Sequence, residues 1–322
     1  IENVLTHSSG LPRESNYSYW SQPLFYFPSK NEVIEGLKKQ ETLYPADTYY
    51  QYSNLGLTLL GYVIENVSKQ PYTKYIQQNI LDPLMMEETK TFMDRSEYGK
   101  KLVYGYGSKK RNGERDLIPY FNARGVASAA GFTSNTKDLA KFALWQLKLL
   151  NGSDKKILNK ETLIKMHSVQ LNDTLNNVRR GYGFGIYKNE GSYIVGHSGG
   201  CPGYNSFLAI NSKKEIAVSV MINANGTDPI KYAKGVMNIL DKTKLKKDVK
   251  SFKYNEIQGY YNTQPWSGES YITSWGDGIA ILSLPNYSAE ISQYKKVRKD
   301  EFRRILKNDS LGENLSIIRN KK

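Results

Sequence analysis

One cysteine and three histidines in 322 residues remove several functions at the outset. Cys201 alone cannot close an intramolecular disulfide, so no disulfide framework carries the fold, and cysteine usage leaves the redox compartment undecided. His7, His167 and His197 lack the paired spacing of zinc ligands, so neither a metal nor a cofactor is expected. Long apolar runs are missing too. None approaches the roughly 20 residues that a membrane helix needs. The first residues, Ile1-Glu2-Asn3-Val4, have no initiator methionine and no basic-then-apolar signal pattern, which places the expected natural N-terminus upstream. Apolar residues make up only 39%, yet 12% aromatic and 24% charged residues, well mixed, describe a chain that folds. Its length suffices for one large domain and a small one.

Acidic residues are the scarcer charge: 31 Asp and Glu face 45 Lys and Arg, a net +14. Such an excess suits anionic envelope polymers, acidic lipid surfaces or nucleic acid. Lysine is spread along the chain, however, and no nucleic-acid motif accompanies it, so no nucleic-acid partner is expected. The densest basic stretch, Lys242 to Lys253, reads as a solvated linker.

Periodicity predicts a helix from Asn54 to Val67, with Leu55, Leu59, Val63 and Val67 on one buried face. A second opens near Pro71, buries Tyr72, Tyr75, Ile76 and Ile80, and stops at Asp82-Pro83. A third follows Gly131, capped by Ser134 or Asn135, with Leu139, Phe142, Ala143, Leu147 and Leu150 repeating until Asn151-Gly152. After Arg180 the pattern changes to short β runs at Tyr182 to Tyr187, Tyr193 to His197, Ser206 to Ile210 and Ile216 to Ile222, an antiparallel meander. Five more strands are expected beyond the linker: 259–261, 271–275, 279–284, 302–306 and 315–318. The division is 1–240 as a main domain, 241–253 as the linker and 254–322 as a small β unit.

Two short constellations stand out. Tyr52-Ser53-Asn54 precedes a strong helix, where Ser or Asn is ordinarily just a cap. His197-Ser198-Gly199-Gly200 ends a strand and enters a Gly-Pro-Gly turn, which by itself is ordinary turn chemistry. Taken in order with Leu5-Thr6-His7-Ser8-Ser9-Gly10-Leu11-Pro12 and with Gly131-Phe132 through Ser134, Asp138-Leu139-Ala140-Lys141-Phe142, they resemble the β-lactamase-related serine hydrolases. That group includes class C β-lactamases, DD-peptidases, D-aminopeptidases and some esterases. The resemblance covers residue 1 to about residue 226, and the tail from Tyr254 is similar to the small β-barrel that often follows such domains.

The resemblance implies an α/β sandwich of the β-lactamase/transpeptidase type (an α+β arrangement), with an antiparallel sheet, a helical subdomain and a β-rich tail. It implies an acyl-enzyme on a serine of a Ser-x-x-Lys motif. Tyr52 would relay the proton, for which nearby cations must push its phenol down. Asn54 would hold the substrate amide or the motif lysine, and His197 would stand beside the tyrosine. Ser198 would bind substrate, while Gly199 and Gly200 shape an oxyanion edge on what is expected to be an edge strand. Histidine in place of the lysine of β-lactamases favours a peptidase or esterase. His7 is expected to be structural. The substrate would be a small ester, amide or D-amino-acid peptide, and the location extracytoplasmic, against a cell-wall or membrane surface.

The nucleophile is missing from its place, because only four residues precede the Leu5-Thr6-His7 motif. Ser134 with Lys137, Ser153 with Lys156 and Ser292 with Lys295 match Ser-x-x-Lys out of order, at a helix cap, a loop and the β tail. Three readings follow: a hydrolase whose nucleophile lies upstream, a pseudoenzyme that binds without cutting, or a non-catalytic envelope protein. The first predicts that Tyr52 and His197 share one cleft, and that an open groove or apolar patch lies beside the His197 strand.

Overall fold

The computed structural model describes residues 1–16, 19–20, 25–154, 156–189, 192–244, 254–262, 268–284, 291–306 and 308–318, without the side chains of 241–244. The chain divides into two compact units, Ile1–Met237 and Asn238–Lys322.

In the first unit, short helices α1 (Glu2–Leu5) and α2 (Lys30–Leu37) precede α3 (Asn54–Ser68). Ser53 starts α3 by accepting from the Gly56 N–H at 2.9 Å, which satisfies one orphan donor of the first turn. Lys69 ends the helix in the left-handed conformation, φ 57°. The buried face of α3 is Leu55, Gly56, Thr58 and Gly61. Val63 and Val67, expected inside, are 43% and 78% exposed. Periodicity located the helix but not its neighbour. That neighbour is α5 (Ala127–Ala130), whose Ser128 presses on Gly61 so closely that an added Cβ would meet the Ser128 Cβ at 2.4 Å.

Between them lies α4 (Tyr72–Ile76), which runs on as a π-turn at Gln77–Leu81. It packs with α6 (Thr136–Leu150) and α7 (Lys160–His167) around Ile76, Leu81, Leu84, Met86, Trp145, Leu149 and Leu163. Asn135 caps α6. The buried Asp138 carboxylate on α6 accepts from the Glu88 N–H, the Thr89 hydroxyl and the Lys141 ammonium, each at 2.9 Å. A second cluster of Tyr19, Phe25, Phe27, Val33, Leu55, Ile118, Ala123 and Val126 supports α3 from its other side.

Six strands pair strictly in chain order: β1 (Leu171–Asp173), β2 (Val178–Arg180), β3 (Gly185–Asn189), β4 (Ser192–Cys201), β5 (Tyr204–Asn211) and β6 (Ile216–Ile222). The meander is therefore as expected, with β1 and β2 added; both are too polar to show a β pattern. Ile194, Phe207, Ala209 and Ile216 meet Ala233 and Met237 of α8 (Pro229–Lys244). Of the expected linker 241–253, residues to Lys244 continue α8, and 245–253 lie outside the described residues.

The second unit is another antiparallel meander: β7 (Gly259–Asn262), β8 (Glu269–Trp275), β9 (Gly278–Leu284), β10 (Ser292–Arg298), β11 (Glu301–Ile305) and β12 (Leu311–Ser316). β10 is the strand missed in sequence, because Lys295, Lys296 and Arg298 leave Gln293 to Arg298 without an apolar alternation. Ile257, Ile272, Ile279 and Phe302 form its core. Among the described residues β7 and β12 are the two edges, so the sheet order is that of a meander without a closing pair.

Candidate active site

The arm carrying Tyr52 is tied down by the N-terminal turn. The His7 carbonyl accepts from the Gln51 N–H and the Ser8 carbonyl from the Asp47 N–H, both at 2.7 Å. His7 itself adopts φ 60° and is 3% exposed. Its Nδ1 accepts from the Ser53 N–H at 3.1 Å, which assigns the neutral ring's proton to Nε2. Burial, helped by the charge of Arg180, holds this imidazole down at about 3. Its ring centre lies 4.2 Å from that of Tyr52.

Tyr52 then has three neighbours around its ring. His7 covers it, the Arg13 guanidinium stands 5.1 Å from its centre, and His197 faces it at 6.2 Å between ring centres. The expected common cleft of Tyr52 and His197 is thus observed. The expected lowering of the Tyr52 phenol is not: burial raises it, and the opposing charges of Arg180 and Arg13 only offset part of that. At neutral pH the phenol is a proton donor.

His197 reaches the groove from β4. Its Nδ1 is 2.7 Å from the Ser198 carbonyl oxygen, which can only accept, so Nδ1 carries the proton and Nε2 the lone pair. Burial, then Arg180, lowers this histidine as well. The ring is therefore a neutral base. β4 is an interior strand, not the expected edge, yet its pairing with β3 stops at Gly185 opposite Gly196. From His197 to Cys201 one side of the strand is open for that reason, while Ser198, Gly199 and Gly200 remain paired to Phe207, Ser206 and Asn205 of β5. An added Cβ on Gly199 would meet the Ser206 hydroxyl at 2.4 Å, whereas the nearest atom to one on Gly200 is 3.7 Å away.

All six expected residues, Tyr52, Asn54, His197, Ser198, Gly199 and Gly200, line one groove of about 1580 Å³ beside β4. Asn54 is not free in it. Its Nδ2 donates to Glu14 Oε1 at 2.7 Å, and Glu14 also accepts from the Tyr19 hydroxyl and pairs with Arg13 at 3.3 Å. Arg13, Glu14 and Arg180 were not singled out in the sequence. The first two follow directly on the Leu11-Pro12 motif, a signal that adjacency could have supplied; Arg180 gives none, since Arg179-Arg180 reads as a solvated pair. Cys201 also lines the groove, its thiol pushed by burial up to about 11 and so unreactive.

The three Ser-x-x-Lys matches do not furnish the nucleophile. Ser134 lines the groove, but its hydroxyl hydrogen-bonds Thr89 at 2.7 Å and Lys137 is exposed. The Ser153 hydroxyl donates to Asn151 Oδ1 at 2.7 Å in an exposed loop, and Ser292 lies on β10 of the other unit. What the groove presents is a protonated phenol and a neutral imidazole with their ring centres 6.2 Å apart.

A family model described as beta-lactamase matches residues 1–238. Protein flp of Staphylococcus aureus is 31% identical over 228 residues, 70% of this chain and 43% of that protein. The chain thus spans less than half the length of that curated relative. Among solved structures, the octameric penicillin-binding protein homologue from Pyrococcus abyssi is similar over 96% of this chain and 72% of its own, at 25% identity and a TM-score of 0.65. A D-amino acid amidase from Ochrobactrum anthropi shares the fold over 76% of this chain and 70% of its own, at 24% identity and a TM-score of 0.60. The motif order, the shared groove and the matching family model lead to one conclusion: the chain belongs to the β-lactamase family of serine hydrolases.

Proposed function

We propose that residues 1–238 supply the acid–base and oxyanion half of an acyl-enzyme hydrolase for a small ester, amide or D-amino-acid peptide, the attacking serine coming from a Ser-x-x-Lys segment outside the 322 residues. The observation that carries this reading is the meeting of Tyr52 and His197 at 6.2 Å on one groove, from motifs far apart in the chain. The Tyr52 phenol would hand its own proton to the neutral His197 as its oxygen takes the proton of the attacking serine, and the same relay run in reverse would deliver a proton to the leaving group. The open edge at His197 to Cys201 supplies backbone N–H groups where an oxyanion would form. A neutral histidine at the third motif suits a peptidase or esterase better than an enzyme built around a permanent lysine charge, and a relative titled D-amino acid amidase supports that class. The basic surface supports an extracytoplasmic setting against an anionic cell wall.

A protein extended upstream to a Ser-x-x-Lys is expected to be acylated by a fluorophosphonate, and Tyr52→Phe to slow its turnover by about 10² to 10⁴-fold. Unchanged turnover in Tyr52→Phe sinks the mechanism. A second reading is binding without cleavage, and the observation in its favour is that the Ser134 hydroxyl, which lines the groove, is engaged by Thr89 at 2.7 Å. Failure of the extended protein to label would select it.

A further inference from the structure

One face of the C-terminal sheet has a composition that its own packing does not explain. Along β8 burial alternates strictly: Ser270, Ile272 and Ser274 are buried, whereas Tyr271, Thr273 and Trp275 are half-buried on the opposite face. The register carries that second face across the sheet, because residues directly opposite in a ladder share a side. Tyr260 of β7 stands opposite Tyr271, and Thr273 opposite Ala280 and then Gln293. Trp275 is followed in the same way by Gly278, Lys295 and Arg303. Ile272, Ile279 and Phe302 point the other way, into the core.

Tyr260 is 70% exposed, and its ring centre lies 4.8 Å from that of Tyr271, whose hydroxyl accepts from Gln258 Nε2 at 2.9 Å. Gly278 and Ala280 are buried, so what the face shows outward is ring, hydroxyl, amide and cation. The cations are badly placed for the sheet itself. Lys295 and Arg303 stand directly opposite one another, a like-charge pair that costs stability. Arg303 donates from Nε and Nη2 to the neutral Gly312 and Leu311 carbonyls at 2.9 and 2.8 Å, and among the described residues no carboxylate pairs with either cation. Arg298, one turn of the hairpin away, has Glu301 opposite it; Lys295 and Arg303 have only each other.

We propose that this face binds an acidic oligosaccharide, its sugar rings lying on Tyr260, Tyr271 and Trp275 and its carboxylates reaching Lys295 and Arg303. The apolar C–H side of a sugar ring matches an aromatic face, while its hydroxyls need the partners that Thr273 and Gln293 supply. An acyl chain would instead leave that hydroxyl and amide desolvated and unpaired, and a polyacid without rings would leave Tyr260 in water. A carboxylate between Lys295 and Arg303 removes their mutual repulsion through charge-assisted bonds. From β7 to β11 the face spans about 19 Å at about 4.8 Å per strand, which suits a chain of sugars better than a single one. Every residue involved belongs to the second unit, so the proposal stands apart from the hydrolase reading.

The test is calorimetric titration of the 322-residue chain with sugars of equal length. Hyaluronan hexasaccharide and hexagalacturonate are the acidic probes, the N-acetylglucosamine hexamer is the neutral one, and poly-L-glutamate is an acid without sugar rings. At least one acidic sugar is expected to bind saturably, about ten-fold or more tighter than the neutral hexamer, and polyglutamate more weakly than that sugar. Tyr260→Ala should weaken the acidic sugar about ten-fold, whereas Tyr260→Phe, which keeps the ring, should not. Lys295→Gln should bring the acidic sugar toward the affinity of the neutral one. Absence of saturable binding by both acidic sugars, equal affinity for the neutral hexamer, polyglutamate binding as tightly as the sugars, or an affinity untouched by Tyr260→Ala overturns the proposal. Tyr260 is exposed on the edge strand β7, so its replacement leaves the core alone, and the comparison of probes on the unaltered chain needs no variant.

Discussion

Burial keeps the His7 imidazole neutral while its Nδ1 serves the Ser53 N–H, and this has a sign in the pH dependence of stability. The folded value of about 3 lies below the usual 6.5. Below about 6.5 the unfolded chain gains a proton that the folded chain refuses, so the contribution is complete above that pH and is lost as pH falls toward 3. The slope is roughly 1.4 kcal/mol per pH unit for one proton. His167, held by burial at about 4, adds a slope of the same sign between about 6.5 and 4. Urea unfolding at pH 7, 6 and 5 should show this loss. His7→Leu should cost about 1–3 kcal/mol at pH 7 by orphaning the Ser53 N–H, yet flatten the slope by about one proton; a slope equal to that of the unaltered chain would count against the assignment. At this scale Tyr52, Asn54 and His197 were legible because each sits in a motif whose order is informative. Arg180 and Glu14 were not, because their importance comes from what the fold brings beside them, Tyr50 and Asn54.

Helices announce their existence in sequence better than their orientation, as α3 illustrates. Leu55, Leu59, Val63 and Val67 do share a stripe, but the stripe continues past the end of the element that covers it. The closest approach is instead at Gly61, where Ser128 of α5 fills the space of a side chain. Gly61→Ala is expected to lower stability by about 1–3 kcal/mol through overpacking, despite the better helix propensity of alanine. Ser128→Gly in the same chain should recover part of it, and thermal melts of the two single variants and the double variant measure that coupling. Additive losses would mean that the two residues do not press on one another. Strands obeyed the same rule. β3 to β6 were legible from apolar runs, whereas β1, β2 and β10 form only because a paired neighbour supplies what Leu171–Asp173, Val178–Arg180 and Ser292–Arg298 lack in apolar pattern.

The groove dominates the first unit as a whole. Phe92, Val103, Phe132 and Met221 all line it at 44%, 53%, 45% and 38% exposure. At about 25 cal/mol per Å² a few hundred Å² of such surface is worth several kcal/mol, a large share of a typical net stability of about 5–15 kcal/mol. The purified chain is accordingly expected to bind an apolar dye such as ANS while folded, and to aggregate or melt early in a thermal scan. Phe132→Lys should reduce the dye signal without lowering the melting temperature. A chain that ignores the dye and melts cooperatively at a high temperature would show that the groove is closed in solution. The Leu5 carbonyl, finally, accepts from the Gly183 N–H at 3.0 Å, whereas each strand of the C-terminal meander pairs only with its neighbour in sequence. On a ribosome adding about 5–20 residues per second, the N-terminal turn must wait on the order of ten seconds for its partner to emerge. Tyr52 can settle against His7 early in that interval. His197 arrives at its end, so the two rings that face each other across the groove are brought together late in synthesis, and until then the half-built cleft is open to whatever else the cell offers it.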